Sequence, residues 1–454
     1  MTELSPRLRD IVKAYDVRGL SPDQLDADVA RAMGAAFADE VGISAGDSAV
    51  IGHDMRETST VLVAALSEGI RSRGADVVTI GLASTDMLYA ASGQLDLPGV
   101  MVTASHNPAE YNGLKLCRAG ARPIGFDTGL GAMAQQVDRW LADGTTFEPV
   151  GSESTRDFLT EYADLLLSLA PVEGRRLTVV ADAGNGMGGH TVPAVFAHLD
   201  VDLVPMYFEL DGSFPNHDAN PLDSSTLVDL QARVRETGAD LGLAFDGDAD
   251  RCFVVDERGE LVSPSAITAL IAARYLADQP GATVLHNAIC SKAVREVIEE
   301  RGGTAVRTPV GHSLIKAEMA RTDAVFGGEH SGHFYFRDFF LADSGMLAAL
   351  HVLAAVAETD RTVSDLMAEF ERYPASGEIN STVEDQAAML ETISAKYADL
   401  DQDRLDGLTV TADTWWFNVR ASNTEPLLRL NVEGDDEATM ARVRDEVLDV
   451  IRGR

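Results

Sequence analysis

Through most of the chain, short runs of Val, Ile and Leu alternate with segments whose apolar positions recur every three to four residues. The pattern predicts a helix over Leu25–Val41, a buried strand over Ser48–Gly52, a helix over Thr58–Arg73 and a strand over Asp76–Ile80. Ser224–Thr237 opens with capping residues and is apolar at helical spacing, and Leu241–Phe245 follows as a short buried strand. Helices over Ser265–Ala277 and Lys292–Arg301, with the strand Thr283–His286 between them, continue the alternation. This is the α/β signature. After Tyr373 the pattern changes to strands over Glu378–Val383, Leu408–Thr411, Trp415–Val419 and Leu427–Val432, with helices over Asp385–Tyr397 and Asp436–Ile451. Boundaries near Val150, Val255 and Arg372 divide the chain into four segments, 1–150, 151–255, 256–372 and 373–454. The last reads as a small α+β module.

Composition narrows the class of protein. At 45% hydrophobic and 24% charged residues the chain can build packed cores. Lys and Arg number 37 against 72 Asp and Glu, a net charge of −35, so a nucleic-acid or acidic-membrane partner is disfavoured by long-range repulsion. The amino terminus lacks the apolar stretch of a secretory signal, and no run approaches the ~20 apolar residues of a membrane span. Cys117, Cys252 and Cys290 are widely spaced and form no CxxC pair, which suits a reducing cytoplasm and offers no thiolate metal site.

The most informative run is LGLAFDGDADRCFVVD, Leu241–Asp256. Asp246, Asp248 and Asp250 alternate in a short loop between two apolar strands, and three carboxylates at that spacing can turn toward one hard cation. A calcium EF-hand is the rival, since Glu257 falls at its twelfth position. Against it, Arg251 stands where that loop requires glycine, and the flanks read as strands. A solvated acidic turn is the plainer alternative. In GVMVTASHNPAEYNGLK, Gly99–Lys115, a buried strand delivers Ser105, His106, Asn107 and Pro108 to a loop; Ser105 is a nucleophile if His106 or Lys115 activates it, and a turn former otherwise.

In FGGEHSGHFYF, Phe326–Phe336, the residues Glu329, Ser331 and His333 alternate, so an extended loop would face them one way. Carboxylate and hydroxyl in one row match sugar hydroxyls, with His333 as acid or base, although a structural turn explains the run equally well. In RASNTEP, Arg420, Ser422, Asn423 and Thr424 form a potential anion nest between two strands. Gly184-x-Gly186-x-x-Gly189, after a strand and with Glu209 twenty residues on, satisfies the loose dinucleotide fingerprint, which alone is a weak signal.

Taken in order, TASHNP, DGDADR, GEHSGH and RASNTEP resemble the phosphoserine, metal, sugar and phosphate loops of the α-D-phosphohexomutase family. Tyr15-Asp16-Val17-Arg18-Gly19 and Gly311-His312-Ser313 with Lys316 are similar to two further family elements, so the resemblance runs from residue 14 to residue 426. It implies three related mixed α/β domains followed by a small C-terminal α+β domain, with the active site in a central cleft. It also implies phosphorylation of Ser105, and Mg²⁺ held by Asp246, Asp248, Asp250 and a phosphoserine oxygen. A 1,6-bisphosphorylated hexose would be the intermediate and activator. Arg18, His106, Lys115 and His333 would serve catalysis, Lys115 or His333 as general acid/base. Arg251, His312, Glu329, Ser331, Arg420, Ser422, Asn423 and Thr424 would bind substrate. The glycines at 184–189 become a loop of the second domain.

The chain departs from the family pattern at Ala249, where glycine is common, at His330, which replaces a frequent methionine, and at Ile289, where relatives accepting both glucose and mannose often have lysine. Phe336–Phe339 and Asp343–Met346 look most like the phosphomannomutase branch. The expected enzyme is a cytoplasmic phosphomannomutase, a monomer or homodimer, acting on hexose phosphates. Phosphoglucomutase, a dual-specificity enzyme and phosphoglucosamine mutase are the rivals within the class; a nicotinamide-dependent oxidoreductase and an inactive sugar-phosphate binding protein are the rivals outside it.

Overall fold

The computed structural model describes residues 4–421 and 427–453, and of His312 and Ser313 the backbone alone. It divides into two compact bodies, Met1–Val262 with Ser331–Ser364, and Ser263–His330 with Asp365–Arg454.

The first body holds two mixed sheets. In the first sheet are β1 (Val17–Leu20), β2 (Ser48–His53), β3 (Asp76–Leu82), β4 (Gly99–Val102), β5 (Tyr111–Arg118), β6 (Arg122–Pro123) and β7 (Glu153–Thr155). They run in the order β1-β5-β4-β2-β3-β7, with β6 on β5. β4, β2, β3 and β7 are parallel, while β5 is antiparallel to both β4 and β1. Every residue of β4 is buried, which is why it reads as an unbroken apolar run.

The helices Ala27–Val41 and Ser59–Arg71, which pack on this sheet, meet each other through paired glycines. A Cβ on Gly69 would lie 1.9 Å from the Arg31 carbonyl oxygen, and one on Gly34 2.2 Å from that of Leu66. The first helix begins where the Asp26 side chain accepts from the backbone N–H groups of Asp28 and Val29, and ends at Gly42 with φ 74°.

The second sheet has β8 (Leu177–Asp182), β9 (Val201–Met206), β10 (Leu241–Phe245), β11 (Cys252–Val255) and β12 (Leu261–Val262), in the order β12-β11-β10-β8-β9. β9, β8 and β10 are parallel and β11 turns back antiparallel, so the acidic loop joins two buried strands. The stretch expected as one helix from Ser224 is a 3₁₀ turn, Ser224–Leu227, followed by the helix Val228–Thr237. Asp223 accepts from Ser225 N–H, and Thr226 Oγ1 returns to the Asp223 and Asn220 carbonyls; these local bonds tighten the first turn.

In the second body β13 (Thr283–Asn287), β14 (Thr304–Thr308) and β15 (Phe326–Gly328) are parallel, with β13 in the middle. The hairpin of β16 (Phe334–Phe336) and β17 (Ala342–Asp343), with the fully buried helix Gly345–Ala357, belongs to the first body. The C-terminal sheet is antiparallel throughout: β18 (Ile379–Thr382), β19 (Asp401–Asp403), β20 (Leu408–Thr411), β21 (Trp415–Ala421) and β22 (Leu427–Gly434), ordered β18-β22-β21-β20-β19. Phe417, Val419, Leu428, Leu430 and Val432 pack with Ile393, Val443 and Val447 of its helices to form one core. Among the described residues no helix is long and apolar enough to cross a membrane.

Candidate active site

The acidic loop leaves β10 at Asp246 and enters β11 after Arg251. Its tight turn is closed by Asp246, whose carbonyl accepts from Ala249 N–H at 3.0 Å and whose Oδ1 accepts from Arg251 N–H at 3.2 Å. Asp246, Asp248 and Asp250 are at most 1% exposed, and one carboxylate oxygen from each lies within 4.8 Å of the others. Lys115 Nζ, carried in from β5, donates to Asp248 Oδ2 at 2.7 Å and to Asp250 Oδ2. Thr85 Oγ1 also donates to Asp248 Oδ2, at 2.5 Å.

Asp248 Oδ1 and Asp250 Oδ1 remain buried without a hydrogen-bond partner. Buried acceptors of this kind are costly unless something electropositive reaches them. The donor set, all hard oxygen, therefore fits a divalent cation such as Mg²⁺. An EF-hand is excluded by the strands on either side, and Glu257 instead accepts from Ser364 N–H at 3.0 Å and from its hydroxyl.

Crowding these charges moves their proton affinities. Burial, then the neighbouring carboxylates, holds Asp246 well above the usual range; burial and the Asp248 charge push Asp250 up to about 6. Burial also works against charge on Lys115, but Asp248 and Asp250 outweigh it and raise its proton affinity above that of an ordinary lysine.

Ser105 follows β4 in a left-handed conformation, φ 51°, and is 1% exposed. Its Oγ donates to Asp246 Oδ2 at 2.8 Å and lies 3.2 Å from His106 Nδ1. The loop is held by a group that the motif reading missed. The buried Arg56 guanidinium donates to the carbonyls of Ser105 (2.8 Å), Asn107 (2.6 Å), Pro108 (2.7 Å) and Tyr111 (2.9 Å), while its Nε meets Asp54. One planar fork thus fixes four carbonyls. Nothing in the run HDMRET, His53–Thr58, marks Arg56 for this role. Thr85 and Asp343 were also missed, the latter clustering with Asp250 and His333.

Arg251 lies between two histidines. Its Nη2 is 2.9 Å from His106 Nδ1, and its Nε donates to His333 Nε2 at 3.2 Å. Burial, then the charges of Arg251 and Arg18, holds His106 well below the usual histidine range, so its ring is neutral at pH 7. His333 Nδ1 is 2.9 Å from Ser331 Oγ. Arg18 Nη1 donates to Asn107 Oδ1 and Nη2 to Asp16 Oδ2, each at 2.6 Å.

The expected single row of Glu329, Ser331 and His333 is corrected. Gly332 has φ 83°, which breaks the extended alternation, and the division between the two bodies falls between His330 and Ser331. In the second body Glu329 is buried, with Oε1 accepting from Gly311 N–H at 3.1 Å and from Asn287 Nδ2. There too Glu378 binds Arg420 at 2.7 Å and Arg429 at 3.1 Å. Ile289 and His330, both departures from the family pattern, line one cavity of about 240 Å³ with Trp416, Asn431 and Glu433. Ser422, Asn423, Thr424 and the His312 side chain lie outside the described residues.

The glycines of the dinucleotide fingerprint have a packing reason. A Cβ on Gly186 would lie 2.6 Å from the Gly247 carbonyl oxygen, which accepts from Met187 N–H at 2.9 Å. The loop is thereby seated on the acidic loop.

Four family descriptions match in sequence order: phosphoglucomutase/phosphomannomutase α/β/α domain I over residues 9–138, domain II over 156–259, domain III over 264–373 and the C-terminal domain over 378–450. The chain is 41% identical over 447 residues to a protein of Xanthomonas campestris named phosphohexose mutases, spanning 97% of this chain and 99% of that one. It is 39% identical over 451 residues to a phosphomannomutase of Salmonella typhimurium, spanning 96% and 97%. A solved phosphoglucomutase/phosphomannomutase family protein of Burkholderia thailandensis superposes with a TM-score of 0.87 at 31% identity, covering 98% of each chain. With a serine held against three buried carboxylates and four domain matches in register, the chain belongs to the phosphoglucomutase/phosphomannomutase family of phosphohexomutases.

Proposed function

We propose that the protein is a cytoplasmic phosphomannomutase that interconverts mannose 6-phosphate and mannose 1-phosphate through phosphorylated Ser105 and a 1,6-bisphosphosugar. The observation that carries this reading is the Ser105 hydroxyl bonded to Asp246 at the edge of three buried carboxylates, two of whose oxygens lack a hydrogen-bond partner. The relatives named phosphomannomutase support the substrate. Three free, buried cysteines support the compartment. We retain domains at 1–150, 151–255, 256–372 and 373–454, each carrying one of the four motif loops.

Asp246, Asp248 and Asp250, with an oxygen on Ser105, would hold Mg²⁺, which supplies charge compensation for the phosphoryl group in transfer. Ser105 Oγ carries the phosphoryl group and releases it to the free hydroxyl of the bound hexose phosphate. The new bond from the sugar oxygen to phosphorus forms as the bond from Ser105 Oγ breaks, a base at the site takes the hydroxyl's proton, an acid returns one to Ser105 Oγ, and the bisphosphosugar results. The intermediate then turns over and returns its other phosphate to Ser105.

Lys115 is our first candidate for the proton transfer, as the acid that gives a proton to Ser105 Oγ, because Asp248 and Asp250 hold its Nζ protonated beside Ser105; His333 is the second, as the base that takes the proton of the sugar hydroxyl. Arg18, His106 and Arg251 surround the serine loop with donors for phosphate oxygens. Glu329 and Ser331 are assigned to sugar hydroxyls, and Arg420, Ser422, Asn423, Thr424 and His312 to the idle phosphate.

Intact-mass measurement tests the mechanism. The protein is expected to carry one phosphate, about 80 Da, that moves to added substrate and is absent from Ser105→Ala, whose turnover falls by at least 10³-fold, the scale expected when a nucleophile is lost. A protein that cannot be charged by mannose 1,6-bisphosphate or glucose 1,6-bisphosphate would sink the reading. Turnover of mannose, glucose and glucosamine 1-phosphates ranks the substrates, and a clear preference for either rival would displace mannose.

A further inference from the structure

The carboxylate of Asp86 gathers three hydroxyls from three separate stretches of chain. It is fully buried. Ser84 donates to Oδ1, while Tyr162 at 2.8 Å and Ser344 at 2.6 Å donate to Oδ2. Two of these hydroxyls are helix caps: Ser84 Oγ accepts from Met87 N–H at the start of the helix Thr85–Leu95, and Ser344 Oγ from Leu347 N–H at the start of Gly345–Ala357.

Both helix starts press on the acidic loop. Thr85, the neighbour of Asp86, donates its N–H to the Asp248 carbonyl at 3.0 Å and its hydroxyl to the Asp248 carboxylate at 2.5 Å. Gly345, the neighbour of Ser344, sits so close that a Cβ would lie 2.6 Å from the Arg251 carbonyl oxygen and 2.9 Å from that of Ala249. Farther along, the helix Thr85–Leu95 also meets the turn between β16 and β17, since a Cβ on Gly93 would lie 2.4 Å from the Phe340 ring.

A buried carboxylate is costly to retain where apolar packing would serve, so its use here points to something that packing alone does not provide. We infer that Asp86 is a positioning residue, tying together the two helix starts that hold Asp248 and the Ala249–Arg251 backbone in place for the cation and for phosphoryl transfer. The inference rests on the mutase reading above. Three hydroxyls converging on one carboxylate fix the distance between the caps, and each cap hands that constraint to the loop through its immediate neighbour, Thr85 on one side and Gly345 on the other. Tyr162 ties the helix Leu159–Leu169 to the same point.

The test compares Asp86→Ala, Asp86→Asn, Ser344→Ala and Tyr162→Phe by steady-state kinetics over a range of Mg²⁺, by Mn²⁺ binding followed by electron paramagnetic resonance, and by thermal melting. Asp86→Ala is expected to lower kcat and to raise the half-saturating Mg²⁺ and the Mn²⁺ Kd by about 10-fold each, with KM for the sugar phosphate within about twofold. Asp86→Asn, which keeps one oxygen for Tyr162 and Ser344 and offers a donor to Ser84, should recover most of the loss. Folded Asp86→Ala with unchanged kcat and unchanged metal dependence overturns the proposal, as does a lower melting temperature with wild-type kinetics. Where Asp86→Ala does not fold, the single-hydroxyl variants decide, and the absence of any shift in their metal dependence is equally adverse. Should the wild type lack mutase activity, the functional reading fails on its own, and Mn²⁺ affinity still judges the positioning role.

Discussion

Ser105 and Ala249 both adopt left-handed backbone without being glycine, with φ of 51° and 59°. That region costs an ordinary residue about 1–2 kcal/mol, so the surroundings must hold it there. At Ser105 they do: Thr103 Oγ1 accepts the backbone N–H at 2.9 Å, Arg56 binds the carbonyl and Asp246 the hydroxyl. The strain aims the nucleophile at the acids. Ala249 carries only a methyl group, and its left-handed backbone is one that glycine adopts without strain. Ala249→Gly should therefore stabilise the protein by up to about 1 kcal/mol, the relief of strain exceeding the added chain entropy, as read by urea unfolding with kcat little changed. A destabilised variant would show that the methyl group, 1% exposed, packs more than it strains. The acids and Ser105 were legible because their chemistry lies in short linear motifs. Arg56 and Thr85 were not, since each contributes one ordinary side chain from a distant stretch that only the fold brings in.

Among the elements, the least forgiving joint is the helix pair Ala27–Val41 and Ser59–Arg71. With Gly69 against the Arg31 carbonyl, no side chain fits without moving one backbone from the other. Gly69→Val should cost about 3 kcal/mol or more, measured as a lower urea midpoint at unchanged slope, whereas Gly42→Ala, beside open space, costs only its left-handed strain. Equal losses from the two would contradict the packing argument. Elements with one buried face were readable because periodicity marks that face. The helix Gly345–Ala357 is buried on every side, so its sequence GMLAALHVLAAVA carries no polar stripe to identify it. β5 hides for another reason: it holds Asn112-Gly113 near its start, a pair usual in turns. There the Asn112 side chain donates to Thr58 and Ser59, and Gly113 lets the Val17 and Thr103 carbonyls approach. Lys115 thereby reaches Asp248 from a strand.

For the whole molecule the net charge of −35 is set against a buried set of titrating groups, and their balance fixes how stability follows pH. Burial holds His106, His190, His286 and His330 below the ordinary histidine value, His286 at about 4. These rings stay neutral when folded and take up protons when unfolded, so stability is lost as pH falls below about 6.5, by at most about 1.4 kcal/mol per pH unit for each. Buried carboxylates act in the opposite direction, binding protons that the unfolded chain would not and gaining stability as pH falls: burial holds Asp246 well above the usual range, and Asp86 and Asp250 have folded values of about 6. Between pH 7.5 and 5.5 the latter two have entered only half a unit of their range, so each returns under about 1 kcal/mol. His217, raised by Asp182 against its own burial, adds a little on the same side. With four histidines set against these carboxylates, the melting temperature in EDTA should fall from pH 7.5 to 5.5. Saturating Mg²⁺ should steepen the fall, because the cation competes with the proton on Asp250. Work at 0.15 M salt keeps the general acidic repulsion, screened beyond about 8 Å, from masking the effect. A melting temperature that rises on acidification would mean that the carboxylates, and not the histidines, dominate the interior.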